Sequence, residues 1–246
     1  MQNASFTWCD LSAYQPGKAR SFYSNLFGWS YNKTKDAEGT SYWIGSTPKG
    51  EAAGLFEMPD KFKQIQLPSF WMPYIRVEDI GTTIEMAKTV GAIVEVEPTA
   101  FDELSKIALV RDPLGAGFTL YEGPDLGGRK EIPGHMVWNA LYVSDAKSVI
   151  PFYRNLLGWD LKRESEGHYS IRNHGGETIS AIYEVGEEIR GKYQFWANHF
   201  QVDDIVEACR LVHQEGGKVI YKDDHIGRPT VLCYDMDGAA FFLTTG

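Results

Sequence analysis

The pattern of apolar and polar residues is the same in two stretches of the chain, Trp8 to Trp29 and Trp138 to Trp159. Each stretch begins with apolar residues at alternate positions, which predicts a strand. Apolar residues three and four positions apart then predict amphipathic helices over Pro16–Phe27 and Ala146–Leu157. Each helical pattern stops at a glycine, which suits the left-handed conformation of a helix C-cap. The chain therefore carries an internal repeat of about half its length.

A weaker copy of this pattern follows within each half. In the first half it comprises a strand at Phe70–Val77 and a helix at Ile80–Val90. In the second half it comprises a strand at Phe195–Val202 and a helix at Ile205–Glu215. Short strand patterns bounded by turn residues follow the helices. The sequence therefore predicts an α+β fold built from four related β-α-β-β-β modules in two tandem pairs.

Glycine and proline mark the boundary between the two halves. The stretch 123–134 reads GPDLGGRKEIPG and has no apolar period, which is typical of a linker. We predict a first domain at residues 1–122 and a second domain at residues 135–246, joined by this linker. A further turn is predicted at Asp36–Gly39, after the first strand that follows the first helix.

Composition and charge argue against several classes of partner. The chain has 246 residues, 43% of them hydrophobic, and a net charge of −9 without a run of Lys or Arg. Such an acidic chain is not expected to bind nucleic acid or an anionic membrane. No stretch resembles a signal peptide or reaches the roughly 18 apolar residues of a membrane span. The three cysteines, Cys9, Cys209 and Cys233, are far apart in sequence. We therefore expect a cytoplasmic protein with reduced thiols.

Three pairs of short motifs recur in both halves. They are FY…LFGW and FY…LLGW at the helix ends, VEDI and VDDI at the strand-to-helix entries, and DPLG and DMDG before the final strand. In their order and spacing they resemble the vicinal oxygen chelate superfamily, which covers glyoxalase I, extradiol dioxygenases, and bleomycin and fosfomycin resistance proteins. The WCDL opening is similar to that of its tandem two-domain subgroup. The resemblance implies that each pair of modules curls a mixed sheet into an open cup, with helices outside and the ligand or metal inside.

The resemblance also implies where metal ligands would stand, and the residues at those positions are poor donors. A divalent ion needs three or four nitrogen or oxygen donors that converge on it. The positions hold Trp8, Met72 and Thr119 in the first half and Trp138, Ala197 and Phe242 in the second. We therefore expect no metal and no other cofactor. A divalent metal held by donors elsewhere in the chain stays open as the alternative.

Strand alternation selects the side chains that point into the cups. We expect these residues to line the ligand site: Trp8, Asp10, Tyr74, Arg76, Thr119 and Tyr121 in the first cup, with Trp138, His199 and Phe242 in the second. Apolar walls with a few convergent polar groups are typical of small-molecule pockets. In the alternative interpretation, Trp8 and Trp138 fill the cups as core. His199 is either a hydrogen-bonded core or pocket histidine or a catalytic base.

Three functions follow from these patterns. The first is a metal-free protein, monomeric or homodimeric, that binds a small organic molecule in the first cup. The second is a metal-dependent lyase, isomerase or dioxygenase of the same superfamily, which uses donors placed elsewhere. The third is an interaction scaffold without a ligand. No catalytic residue is assigned in any of the three.

Overall fold

The computed structural model of the chain describes residues 4–35, 39–223 and 228–246, with the backbone alone at 221–223. The predicted turn at Asp36–Gly39 lies outside the described residues, except for Gly39. The first half contains β1 (Ser5–Ala13), α1 (Pro16–Phe27), β2 (Ser30–Lys35), β3 (Ser41–Thr47), β4 (Gly50–Glu57), α2 (Asp60–Gln64), β5 (Phe70–Arg76), α3 (Ile80–Thr89), β6 (Ile93–Ala100), β7 (Lys106–Arg111) and β8 (Gly117–Glu122). The second half contains β9 (Met136–Val143), α4 (Ala146–Leu157), β10 (Asp160–Ser165), β11 (His168–Arg172), β12 (Thr178–Glu184), α5 (Glu187–Arg190), β13 (Phe195–Gln201), α6 (Ile205–Gln214), β14 (Lys218–Asp223), β15 (Thr230–Tyr234) and β16 (Ala240–Thr244). None of these helices combines the length and the apolar character that crossing a membrane requires.

Within the described residues, the strands form two eight-stranded mixed sheets of the same topology. The strand order is β2-β3-β4-β1-β5-β8-β7-β6 in the first half and β10-β11-β12-β9-β13-β16-β15-β14 in the second. The pairs β1–β4, β5–β8, β9–β12 and β13–β16 are parallel. Hairpin-connected neighbours such as β3 and β4 are antiparallel. The α+β fold that the repeat predicted is confirmed, and so are the mixed sheets that the family resemblance implied.

Packing divides the chain into two compact units that interleave along the sequence. Of the described residues, those in 8–72, 127–137 and 198–246 form one unit, which we call the Tyr23 unit. Those in 4–7, 73–126 and 138–197 form the other, which we call the Tyr153 unit. Each unit therefore combines a module of the first half with a module of the second. The predicted domain boundaries at 1–122, 123–134 and 135–246 follow the two halves of the sequence, whereas the compact units do not. These boundaries stay a prediction.

Each unit has an apolar core on the side of its strands that the helices cover. In the Tyr23 unit the core includes Phe22 of α1 and Phe241 of β16, whose ring centroids are 6.2 Å apart. In the Tyr153 unit it includes Phe152 of α4 and Phe118 of β8, whose centroids are 6.3 Å apart. In the repeat, Phe22 corresponds to Phe152 and Phe241 to Phe118. The same helix-to-strand contact is therefore made once in each unit.

A buried tyrosine ties a helix of the first half to a turn of the second in the Tyr23 unit. The Tyr23 hydroxyl donates to Asp235 Oδ2 at 3.1 Å and accepts a hydrogen bond from Trp71 Nε1 at 2.9 Å. The other carboxylate oxygen accepts backbone N–H groups of the predicted DMDG turn and of Ala239. Burial raises the pKa of Asp235 to about 6, and it raises the pKa of Tyr23 well above its ordinary value.

The Tyr153 unit repeats this network with the halves exchanged. The Tyr153 hydroxyl donates to Asp112 Oδ2 at 2.9 Å and accepts a hydrogen bond from Trp196 Nε1 at 2.8 Å. Asp112 belongs to the predicted DPLG turn, and its Oδ1 accepts the backbone N–H groups of Leu114 and Ala116. Burial raises the pKa of Asp112 and of Tyr153 as well. The D-x-x-G turns of the sequence are therefore anchors of the core.

Both repeated helices end in the predicted way. Gly28 after α1 has a φ of 69° and Gly158 after α4 a φ of 67°. Each glycine N–H donates to a carbonyl four residues earlier, that of Ser24 or Arg154, at 2.9 and 3.1 Å. A side chain with a Cβ is strained in this left-handed conformation, so glycine is the residue that lets the chain turn into the next strand.

Candidate functional site

Strand β1 separates two environments in the Tyr23 unit. As the alternation predicts, Cys9 and Leu11 lie in the apolar core under the helices. Trp8 and Asp10 point to the opposite side of the strand, which we call the inner face. Trp8 is 4% exposed and Asp10 is 2% exposed, so both inner-face side chains are buried.

Tyr42 of β3 joins these two residues on the inner face. Trp8 Nε1 donates a hydrogen bond to the Tyr42 hydroxyl at 3.0 Å. The Tyr42 ring reaches over Gly54 of β4, where a Cβ would overlap the hydroxyl oxygen and lie 3.0 Å from the Cβ of Asp10. Asp10 and Gly54 are direct partners in the parallel pairing of β1 with β4. We call these four residues, Trp8, Asp10, Tyr42 and Gly54, the Trp8 cluster.

The sequence predicted two members of the Trp8 cluster, Trp8 and Asp10, and missed the other two. A signal for Gly54 does exist, because it ends the run Ala52-Ala53-Gly54 inside a strand. Glycine in a strand interior often marks the close approach of another group. No comparable signal identifies Tyr42, whose contact depends on how β3 pairs with β4.

Burial keeps the Tyr42 hydroxyl protonated. It is the largest of the causes that raise the pKa of Tyr42 well above its ordinary value, followed by the negative charge of Asp10. The hydrogen bond from Trp8 lowers this pKa without offsetting the other two effects. The Trp8 cluster therefore offers an indole face, a hydroxyl that can donate and a carboxylate that can accept. These groups can stack on a small molecule and orient it by hydrogen bonds.

A second group of inner-face residues lies in the Tyr153 unit. The rings of Tyr74, Phe101 and Tyr121 contact one another, with centroids 6.2, 6.2 and 6.3 Å apart. Thr119 is the direct neighbour of Tyr74 in the β5–β8 pairing and is buried. The structure thus brings three predicted residues together and adds Phe101, which the sequence did not indicate. This group is mainly aromatic, with hydroxyls at its margin.

Arg76 and Tyr121 are held by local contacts at the end of this wall. Arg76 is exposed, and its Nε donates to the carbonyl oxygen of Gly123 at 2.9 Å. Burial raises the pKa of Tyr121, and a hydrogen bond with Ser105 lowers it by a smaller amount. Arg76 was predicted to line the ligand site, and the structure shows it in a backbone contact at the surface. Its role in binding stays a prediction.

The matching wall of the second half, in the Tyr153 unit, is less polar. Trp138 is only half-buried, and Ala140 carries no polar group at the position that corresponds to Asp10. His168 occupies the place of Tyr42 in the strand pairing. Its ring stacks on Tyr183, with centroids 4.7 Å apart and an interplanar angle of 18°.

His199 and Phe242 lie side by side in the Tyr23 unit. They are direct partners in the pairing of β13 with β16, and both are fully buried. Their rings stack with centroids 4.5 Å apart and an interplanar angle of 11°. A flat stack of this kind favours the interpretation of His199 as a core or pocket histidine. Its predicted part in ligand binding, and that of Phe242, stay predictions.

Comparison with known families decides the identity of this architecture. A sequence model of the Glyoxalase/Bleomycin resistance protein/Dioxygenase superfamily matches residues 5–120 and 133–242, one match in each half. The chain belongs to this superfamily. The resemblance that the sequence motifs suggested is confirmed, and the two matches make the protein a tandem glyoxalase-superfamily chain.

Two relatives match the glyoxalase-superfamily chain over nearly its whole length. It is 26% identical to "Putative glyoxylase CFP32" of Mycobacterium bovis over 243 residues, which is 95% of this chain and 92% of the relative. It is also 26% identical to "Anthracycline biosynthesis protein DauV" of Streptomyces sp. strain C5 over 255 residues, 95% of this chain and 90% of the relative. Among solved structures, the Mn(II)-bound glyoxalase from Novosphingobium aromaticivorans matches with a TM-score of 0.67 at 10% identity, covering 100% of this chain and 83% of that chain. At this identity the match shows a shared fold.

The residues at the metal positions implied by the superfamily do not fit a divalent ion. Trp8 donates its indole N–H to Tyr42, and an indole nitrogen has no lone pair to offer a metal. Phe242 presents only a ring, which stacks on His199. Among the side chains that the structure describes, in residues 4–35, 39–220 and 228–246, no group of three or more His, Cys, Asp or Glu is placed to hold an ion. These positions therefore do not supply the donors that a bound metal requires.

Proposed function

We propose that this glyoxalase-superfamily protein binds a small organic molecule with an aromatic group at the Trp8 cluster, without the superfamily's metal. The observation that carries the proposal is the gathering of an indole, a tyrosine hydroxyl and a carboxylate around Gly54. Trp8 offers the stacking face, and Tyr42 and Asp10 offer a hydrogen-bond donor and an acceptor. An apolar wall with a few convergent polar groups is the usual composition of a small-molecule site.

Asp10 supports the proposal because a carboxylate is costly to bury. The other side of the same strand shows what packing alone requires, since Cys9 and Leu11 there are apolar. The second half shows the same for an inner face, where Ala140 occupies the matching position. Asp235 and Asp112 are buried as anchors of the two cores, whereas Asp10 lies on the inner face beside Trp8 and Tyr42, where we propose that a ligand uses it.

The names of the relatives suggest the ligand class for a first test. One relative is named as an anthracycline biosynthesis protein. Anthracyclines are planar aromatic compounds that carry carbonyl and hydroxyl groups. The ring system of such a compound suits the face of Trp8, and its oxygen substituents suit the polar groups of Tyr42 and Asp10. An anthracycline, a dihydroxyanthraquinone and smaller aromatic carbonyl compounds are therefore the panel of choice.

The setting that we propose for this protein follows from its sequence. We infer a cytoplasmic, monomeric or homodimeric protein that takes a small molecule, and neither nucleic acid nor a membrane, as its partner. The net charge of −9 supports this inference, because nucleic acids and anionic membranes repel an acidic surface. Titration with duplex DNA and with anionic vesicles, in low salt, should give no binding.

Trp8→Ala and Trp138→Ala form the matched pair that tests the ligand site. Isothermal titration calorimetry of the purified chain against the panel gives a Kd for each variant. Trp8→Ala should weaken binding by about tenfold or more, whereas Trp138→Ala should change the Kd by less than about twofold. Asp10→Asn should weaken binding by about ten- to a hundredfold, because a hydrogen bond to a charged group contributes about 1.5–3 kcal/mol.

Tyr42→Phe is the milder companion variant, since it removes a single oxygen and should weaken binding by roughly tenfold. Circular dichroism of every variant shows whether the fold is kept. A larger loss in Trp138→Ala than in Trp8→Ala would place the site in the second half and contradict the proposal. If His199→Ala lost binding while Asp10→Asn bound as the wild type does, the site would also lie in the second half, and the proposal would be contradicted.

A metal-dependent lyase, isomerase or dioxygenase is the competing function, and the relative named as a glyoxylase favours it. Elemental analysis of the purified chain separates the two. Near-stoichiometric zinc, nickel, manganese or iron, lost on chelation together with an activity on the panel, would contradict the metal-free proposal.

A scaffold with a filled inner face is favoured by the burial of Trp8, which is 4% exposed. Failure of every compound in the panel to bind would support that function instead.

A further inference from the structure

Two of the three cysteines lie next to each other in the Tyr23 unit. Cys209 is on α6 and Cys233 on β15, a helix and a strand that pack together. Cys233 is fully buried in the apolar core, and the half-buried Cys209 packs against the same core. A side-chain hydrogen bond joins the two thiols, and neither cysteine is part of a disulfide. The two sulfur atoms are therefore neighbours in the folded chain, although no sequence motif suggested it.

The repeat supports the conclusion that these two positions face each other. Cys209 corresponds to Ile84 and Cys233 to Val110 in the Tyr153 unit, and both of these residues are buried in its apolar core. The Tyr153 unit thus fills the space between helix and strand with two aliphatic side chains. The Tyr23 unit fills the same space with two thiols. Packing in this fold does not require sulfur at either position.

The two thiols differ in exposure and in their hydrogen bonding. Cys209 is half-buried, so a soluble oxidant reaches its sulfur before that of the fully buried Cys233. The Cys233 thiol donates to the carbonyl oxygen of Val231 at 3.8 Å, and its side-chain hydrogen bond with Cys209, together with burial, raises the pKa of Cys233. The thiolate is the nucleophile of thiol chemistry, and the raised pKa of Cys233 lowers the share of thiolate at that residue. These differences make Cys209 the attacking thiol and Cys233 the resolving thiol.

We propose that Cys209 and Cys233 form a reversible intramolecular disulfide when a small hydroperoxide oxidises them. The Cys209 thiolate attacks a peroxide oxygen, the O–O bond breaks, and hydroxide leaves, so that Cys209 becomes a sulfenic acid. The sulfur of Cys233 then attacks the Cys209 sulfur, the S–S bond forms, and the hydroxyl group leaves as water. The two thiols lose two electrons and the peroxide gains them. Both thiol protons end in the two water molecules that hydrogen peroxide yields.

The disulfide would tie α6 to β15 within the Tyr23 unit. A cross-link between a helix and a strand restricts the unfolded chain, so it stabilises the folded state. We expect the oxidised chain to melt about 5–10 °C higher than the reduced chain, and dithiothreitol to reverse the shift. Cys9 does not start this reaction, because it is fully buried and because burial raises the pKa of its thiol. Cys233 shares both properties but lies next to Cys209, so it acts as the resolving thiol.

The test uses the purified full-length chain, reduced first and then exposed to a small excess of hydrogen peroxide. Thiols are counted with DTNB in guanidinium chloride. The wild-type chain should lose two of its three free thiols, become about 2 Da lighter and form no covalent dimer. Peptide mapping without reductant should link the peptide of Cys209 to that of Cys233. Cys9→Ser should also lose two thiols, which shows that the third cysteine is not involved.

Cys209→Ser is the decisive variant, because it changes the half-buried residue and leaves Cys233 in the core. Peroxide should not change the melting temperature of this variant, and peptide mapping should find no cross-linked peptide. Cys209→Ala should behave in the same way. Three results would overturn the proposal: a wild-type chain that keeps all its thiols, a link that involves Cys9, or oxygen added to sulfur without a cross-link.

Discussion

The Tyr23 and Tyr153 units match where their helices pack and differ on the inner faces of their strands. The tyrosine-to-aspartate hydrogen bonds are 3.1 and 2.9 Å long, and the indole-to-tyrosine hydrogen bonds are 2.9 and 2.8 Å long. The repeat is thus kept closely in both cores. On the inner face the strand positions of Asp10, Tyr42 and Gly54 in the first half are held by Ala140, His168 and Ala181 in the second.

This difference separates what the fold needs from what a function needs. The strands of the second half pair in the same topology without a carboxylate at Ala140 or an open position at Ala181. The polar groups of the Trp8 cluster are therefore not a requirement of the sheet. A matched core beside unmatched inner faces is what we expect if the first half binds the proposed ligand and the second half does not.

The largest expected effect comes from breaking the matched cores. Tyr23→Phe and Tyr153→Phe each remove one oxygen and leave a buried carboxylate oxygen and an indole N–H without a hydrogen bond. Each group left in this way costs about 1–3 kcal/mol. We expect each variant to lower the free energy of unfolding by about 2–5 kcal/mol in urea denaturation at neutral pH. A loss confined to one of the two variants would show that the cores are not equivalent.

The dependence of stability on pH gives the next largest effect. Burial raises the pKa of Asp235 from 3.8 to about 6, so the folded chain favours the protonated carboxyl more than the unfolded chain does. This contribution to stability is fully present below the unfolded pKa of 3.8 and is lost as the pH rises through about 6. Asp235→Asn does not titrate. The free energy of unfolding of the wild type, relative to this variant, should therefore fall by up to about 3 kcal/mol between pH 4 and pH 7.

Asp112→Asn is the matched control for the pH effect. Burial raises the pKa of Asp112 too, so the wild type should lose stability relative to this variant in the same direction over the same pH range. Guanidinium denaturation at several pH values measures both differences. A relative stability that increases with pH in either comparison would contradict the sign that burial gives to these pKa shifts.

The smallest effect concerns the inner faces. Gly54→Ala puts a Cβ where the Tyr42 hydroxyl lies, and such overpacking costs about 1–3 kcal/mol. Ala181→Gly, the reverse change in the second half, should cost about 0.5–1 kcal/mol through backbone freedom alone. Gly54→Ala should also weaken ligand binding, because it displaces the Tyr42 hydroxyl from the Trp8 cluster. Calorimetry and thermal melts would contradict this if Gly54→Ala behaved like the wild type in both.

Local signals explain how much of the fold could be predicted. Helices α1 and α4 agree with their predicted bounds to the residue, because an apolar stripe and a terminal glycine define each one. The short helices Asp60–Gln64 and Glu187–Arg190 were not predicted. About one turn of helix is too short to show an apolar period, and its stability comes from the surrounding structure.

The candidate site could be predicted only to the level of a strand face. Alternation along β1 indicated Trp8 and Asp10 without their partner. Tyr42 reaches them because β3 pairs with β4 in a register that includes a bulge between Gly45 and Ser46. A bulge shifts every later residue of a strand relative to its neighbour, and sequence spacing does not specify it. The partner of Trp8 is therefore a property of the assembled sheet.

The long separation between Tyr23 and Asp235, 212 residues, has a consequence for synthesis of the chain. At about 5–20 residues per second, a ribosome makes Tyr23 roughly 10–40 s before its hydrogen-bond partner. Tyr153 is made after Asp112, and the two are only 41 residues apart. The nascent chain can therefore form the Tyr153–Asp112 hydrogen bond soon after both residues emerge, and Trp196 follows 43 residues after Tyr153. Tyr23 and Trp71 are made long before Asp235, so their part of the core stays incomplete until the last module is synthesised. Slow translation before Asp235 therefore prolongs the time in which this exposed apolar surface can bind chaperones or aggregate.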